Sequence, residues 1–133
     1  GKTLVFTAKD INGKTYTDRD VKGKLVLVDF WASWCKPCKE AIPKLQELYT
    51  KYHSQGLEIV SISVDTNPSD WEKFLKNNKF SWLTLLGNGQ EITQRYDFQY
   101  IPYVLLVDNQ GKVLKSNVQV EELEKFIGDY LSK

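Results

Sequence analysis

The sequence of 133 residues has no methionine, one histidine, two cysteines and, among eighteen basic residues, only Arg19 and Arg95 as arginines. Each scarcity removes a class of function. Two cysteines are too few to staple a small disulfide-rich fold, and without histidines beside them they are too few for a structural zinc site. The lack of methionine, with His53 as the single imidazole, also argues against a module that holds a soft metal such as Cu(I). No metal is expected. Basic and acidic residues nearly cancel, for a formal charge of +1, and the lysines are scattered along the chain, so no electrostatic footprint for nucleic acid exists. No apolar run approaches the ~20 residues that a helix needs to cross a bilayer. The chain starts at Gly1 with no basic-then-apolar leader, so the expectation is a piece of a longer precursor whose signal, anchor or upstream domain is missing.

What is present is ample for a core: 41% of residues are hydrophobic, including four tryptophans, seven tyrosines and six phenylalanines. The length suits one domain, residues 1–133, which divides into a hairpin leader over 1–23 and a core over 24–133. In the leader, Leu4 to Phe6 and Lys14 to Thr17 read as strands joined through Asp10-Ile11-Asn12-Gly13. Lys24 to Trp31 is almost continuously apolar and β-branched or aromatic, as a strand buried on both faces requires. After Pro37, apolar residues Ala41, Ile42, Leu45, Leu48, Tyr49 and Tyr52 recur at helical spacing until Gly56, with Pro43 expected to kink the helix. Leu57 to Val64 completes a right-handed βαβ unit with a parallel strand pair.

Asn67-Pro68-Ser69-Asp70 opens a second helix carrying Trp71, Phe74 and Leu75 and ending near Asn78. Trp82 to Leu86 predicts a short strand and Gln90 to Tyr96 a short helix. Ile101 to Val107 pairs antiparallel with Val113 to Ser116 across the turn Asp108-Asn109-Gln110-Gly111. Val120 to Leu131 is amphipathic, with Leu123, Phe126, Ile127 and Tyr130 inward. The pattern is α/β, a mixed sheet flanked by helices.

The two cysteines stand three apart, Cys35-Lys36-Pro37-Cys38, between the central strand and its helix. Disulfide exchange needs a thiolate attacker, a second thiol within reach and a scaffold that lowers the first thiol's pKa. At a helix start the unpaired backbone N–H groups favour an anion, and Lys36 adds a cation, so Cys35 is the expected nucleophile. Cys38, one turn further in and less exposed, is the expected resolving thiol. Pro37 stiffens the first turn without losing a bond. The cofactor expected is none beyond the redox-active Cys35–Cys38 disulfide itself.

The run Val28-Asp29-Phe30-Trp31-Ala32-Ser33-Trp34-Cys35-Lys36-Pro37-Cys38-Lys39 resembles the active-site signature of the thioredoxin superfamily. Across the rest of the chain the hairpin leader, Pro43, Ser63-Val64-Asp65, the Trp71/Phe74 helix, Tyr100-Ile101-Pro102 and the Val107-to-Lys112 turn are similar to the TlpA/ResA-like branch. The resemblance implies a thioredoxin-like fold and a thiol–disulfide oxidoreductase. It also implies a cis Ile101–Pro102 peptide facing the cysteines, with the Ile101 backbone receiving an extended substrate. The residues alone leave that bond open, because most X–Pro bonds are trans.

Asp29 occupies the place of the buried acid of thioredoxins and is implied to accept the resolving thiol's proton. A carboxyl in an apolar strand should have a raised pKa; a solvent-facing or structurally paired aspartate at the strand end is the other reading. Many relatives in this branch carry a glutamate three residues after the second cysteine, where this chain has Ala41. Glu40 is one place earlier, and Asp29 is favoured over it. Trp34 is expected to shield the site and meet substrate, with Trp31 in the core. Tyr103 replaces a usual small residue after Pro102, which reshapes the groove. His53 reads as a surface residue.

The resemblance implies protein disulfide or dithiol substrates, an upstream thiol donor and a bacterial cell-envelope or periplasmic setting, with an anchor in a missing N-terminal segment. A monomer and reducing direction are the expectation. Two alternatives remain at this point. A peroxiredoxin-like peroxidase would need a hydroxyl three residues before the cysteine, where Ala32 stands; a thiolate metal-binding module would need more soft ligands.

Overall fold

The computed structural model describes residues 2–133. Its elements run in order β1 (Thr7–Lys9), β2 (Thr15–Thr17), β3 (Leu25–Trp31), α1 (Lys36–Tyr52), β4 (Leu57–Ser63), α2 (Pro68–Asn77), β5 (Leu83–Leu86), α3 (Gly89–Tyr96), β6 (Tyr103–Asp108), β7 (Val113–Ser116) and α4 (Val120–Leu131). The strands form one mixed sheet in the order β2-β1-β5-β4-β3-β6-β7. β3 pairs parallel with β4 and antiparallel with β6, and every residue of β3 is buried, as its unbroken apolar run requires.

Alternation along β3 sorts the core into two sides. Val26, Val28 and Phe30 face a cluster with Leu4, Phe6, Ile92, Tyr96 and Phe98. Leu25 and Leu27 face Leu45 and Leu48 of α1 and Leu123 and Ile127 of α4. Each such side chain, fully withdrawn from water, contributes on the order of 1.5–3 kcal/mol. A third cluster gathers Trp31, Ala32, Cys35, Cys38 and Trp71 at the carboxyl end of β3. The topology therefore puts both cysteines over the strand end, against aromatic packing.

Two boundaries differ from the sequence reading by more than one residue. The first strand is Thr7–Lys9, not Leu4 to Phe6. Leu4 and Phe6 are buried, but their segment's backbone groups are satisfied outside a sheet ladder. Leu4 N–H donates to the Gly111 carbonyl, Val5 exchanges two bonds with the Tyr96 hydroxyl, and Phe6 N–H donates to Asp18. β6 starts at Tyr103 instead of Ile101, leaving Ile101 and Pro102 in the loop before the strand. α1 runs through Pro43 without interruption and ends after one further helical turn at Gly56, whose φ of 113° suits a residue without Cβ.

Candidate active site

β3 ends at Trp31, and a tight loop delivers Cys35 to the N-cap position of α1. Cys35 N–H donates to the Ala32 carbonyl at 3.1 Å, while the Cys38 N–H points at Cys35 Sγ from 3.2 Å. The sulfur thus takes the part that a serine or aspartate oxygen plays at other helix starts. Negative charge on it gains from the free N–H groups and the helix dipole. Pro37, in the first turn, gives up no hydrogen bond.

Cys35 and Cys38 are joined as a disulfide with Cα atoms 5.3 Å apart. Both residues are buried, at 5% and 2% exposure, so the contrast in depth expected from sequence is slight. Opposite them, Cys35 Sγ lies 3.8 Å from the Ile101 carbonyl oxygen, and the Ile101–Pro102 peptide is cis.

Asp29 is 4% exposed in the middle of β3, paired in register with Ser61 of β4 and Val104 of β6. Burial pushes its carboxyl from 3.8 up to about 7, with a hydrogen bond from the Ser61 hydroxyl at 3.0 Å pulling the other way. Alternation places Asp29 on the same side as Trp31, whose cluster holds both cysteines. Glu40, by contrast, is exposed, in a second hollow with Pro37, Ala41, Lys44 and Pro102.

A residue given no role by the sequence reading organises the loop. Asp65, just past β4, accepts bonds from the Ser33 N–H at 3.0 Å, the Ser33 hydroxyl at 2.7 Å and the Ser63 hydroxyl. It thereby ties the segment before Cys35 to the neighbouring strand. The available signal was Ser63-Val64-Asp65 itself, two polar residues either side of a valine at the close of an apolar strand.

A groove of about 700 Å³ opens beside Cys35, lined chiefly by Trp34, Pro37, Phe98, Tyr100 and Ile101, with Lys36 at its edge. Trp34 and Tyr100 are 66% and 58% exposed, unusual for such large rings. Tyr100 is nonetheless fixed, its hydroxyl accepting from Asn117 Nδ2 at 2.8 Å. Trp31 is buried, and His53 stacks on Tyr49 away from the cysteines.

Residues 23–113 match the family model described as Thioredoxin-like. The chain belongs to the thioredoxin-like family. It is 33% identical over 128 residues to the thiol-disulfide oxidoreductase ResA of Bacillus thuringiensis subsp. konkukian, a match spanning 96% of this chain and 73% of that protein. Among solved structures, a thiol:disulfide interchange protein from a Bacteroides species superposes with a TM-score of 0.88 at 27% identity, covering 100% of this chain and 90% of the other. The thioredoxin domain of a thiol-disulfide oxidoreductase from Bacteroides vulgatus gives 0.84 at 29% identity, with 96% of both chains covered. This thioredoxin-like chain is accordingly a thiol–disulfide oxidoreductase, its described residues forming a mixed seven-stranded sheet with four α-helices.

Proposed function

We propose that the protein reduces disulfides in other proteins, with Cys35 as nucleophile, Cys38 as resolving thiol and Asp29 as proton acceptor. In the dithiol form the Cys35 thiolate attacks one sulfur of a substrate disulfide; the substrate's other sulfur leaves and takes up a proton. Cys38 then gives its proton to the Asp29 carboxylate and attacks Cys35 Sγ. The second substrate thiolate is released, and the Cys35–Cys38 disulfide remains. Two electrons have passed to the substrate, and an upstream thiol donor restores the dithiol.

The observation that carries this reading is Cys35 Sγ at the helix cap, bonded to Cys38 and receiving the Cys38 N–H. The Ile101 backbone and the groove between Trp34 and Tyr100 receive the extended substrate segment, apolar residues next to its cysteine resting on the two rings. The peroxidase alternative gains nothing, since Ala32 offers no hydroxyl and the Ser33 hydroxyl is bound to Asp65. The reading extends to the cell envelope, on the resemblance to the TlpA/ResA-like branch. Among the described residues no helix is long and apolar enough to cross a membrane.

The test is trapping. Cys38→Ser should accumulate a mixed disulfide through Cys35, and Cys35→Ser should accumulate none; equal trapping by both variants, or none by either, refutes the roles. The measured potential fixes direction, with about −270 mV marking a reductant and about −120 mV an oxidant.

A further inference from the structure

Ser61 is fully buried in β4, directly opposite Asp29 in the parallel ladder. Its Oγ accepts a hydrogen bond from Trp82 Nε1 at 2.9 Å and lies 3.0 Å from Asp29 Oδ2. An indole N–H donates only, so the bond with Trp82 consumes an acceptor site of the hydroxyl and leaves its hydrogen free. Among the described residues the Ser61 hydroxyl has no other partner. Turned any other way, that hydrogen would be buried and unsatisfied, at a cost of about 1–3 kcal/mol. The direction of the chain is therefore set: Trp82 donates to Ser61, and Ser61 donates to Asp29 Oδ2.

We infer that Ser61, held by Trp82, is a positioning residue that fixes the Asp29 carboxyl and confines its exchangeable proton to Oδ1. Oδ2 already accepts from Ser61 and does so best as a carbonyl oxygen, because protonating it weakens its lone pairs as acceptors. Oδ1 accepts no bond from any described residue and is the oxygen left to take a proton. The surroundings add no competing charge. β6 presents Val104 and α1 presents Cys38 in the adjoining cluster; Lys44 and Lys51 of α1 pair with Glu124 of α4 at the surface, and Asp65 is taken up by Ser33 and Ser63. In the disulfide form burial raises the Asp29 carboxyl and the Ser61 bond draws it back down. The hydroxyl acts as a regulator: by favouring the carboxylate it keeps part of the Asp29 population able to accept a proton near neutrality.

The inference rests on the proposed role of Asp29 only for its kinetic consequence, which allows two independent readouts. The first is the titration midpoint of the Asp29 carboxyl carbon, followed by NMR in wild type, Ser61→Ala, Ser61→Thr and Trp82→Phe. The second is the pH profile of mixed-disulfide resolution in the same proteins. Ser61→Ala should raise the midpoint by about one pH unit or more, the scale of a hydrogen bond to a charged group. Resolution should then fall about fivefold or more at pH 7 and recover at alkaline pH. Ser61→Thr, which keeps the hydroxyl, should restore both, and Trp82→Phe should move the midpoint the same way by less. A wild-type midpoint in folded Ser61→Ala overturns the inference. A shifted midpoint with an unchanged resolution profile upholds the inference and instead refutes Asp29 as the proton acceptor.

Discussion

Asp29 and Asp65 are two acids buried within a few residues of the same strand ends, each bound by a serine of β4, and they are served very differently. Asp65 receives a backbone N–H and two hydroxyls, with both carboxylate oxygens engaged. Asp29 receives one hydroxyl, and its carboxyl is pushed up to about 7. The number of donors separates the two acids: three tie Asp65 to the loop and the strand beside it, whereas Asp29, answered by a single hydroxyl in a dry site, is the one whose neutral form burial favours.

The comparison breaks most visibly at Asp65. Asp65→Ala strands three donors beside the active-site loop and should cost about 3–5 kcal/mol in urea unfolding, an effect of the size expected for a lost buried network. Cys35 alkylation should also lose its site-specific rate as the Ser33 loop loosens. A cost below about 1 kcal/mol would mean that Asp65 does not tie the loop as described.

Asp29 should behave in the opposite sense. Its folded-state midpoint lies above its ordinary value, so between about pH 4 and pH 7 the folded protein holds a proton that the unfolded chain has released. Stability therefore falls as pH rises through that window, and the full cost is present above pH 7. Asp29→Asn carries no such cost and should be more stable than wild type by about 2–4 kcal/mol at pH 8, with the gap closing near pH 3.5. Unfolding curves at the two pH values decide it; equal stabilities at pH 8 would show that the folded-state midpoint of Asp29 is not raised. The smallest effect sharpens the contrast by giving Asp29 a second donor. Val104 faces it across the ladder, and Val104→Thr nearly preserves shape while adding a hydroxyl. The Asp29 midpoint should fall by about one unit, with a stability change of about 1 kcal/mol at most.

Much of this was legible in the sequence wherever the determinants are local. Cys35 at a helix start follows from an apolar strand running directly into Lys36-Pro37-Cys38, and Asp29 as a buried acid follows from its place inside that strand. Element order was equally readable, because α1, β4, α2 and α4 each carry their own hydrophobic pattern, and α1 and α2 their own N-caps. What escaped depends on distant partners. Leu4 to Phe6 alternates like a strand, yet whether it pairs is decided by the Tyr96 hydroxyl and Asp18, which no local pattern reveals. Asp65 acts on Ser33, and Trp82 on Asp29 through Ser61, across gaps of many residues. The slight difference in cysteine exposure was hidden for a related reason: Trp71 and Ile101, brought in from other elements, help to cover Cys35.

The N-terminal hairpin also has a bearing on traffic at the surface. By laying β1 along β5 it occupies a margin of the sheet that would otherwise offer unpaired peptide groups to any passing extended chain. The outermost strands that remain are only three and four residues long, and β7 carries Lys115. A visiting polypeptide is thus denied a landing strip at the flanks, and the docking edge proposed for it, the peptide group before Pro102, lies within a few ångströms of the Cys35 sulfur.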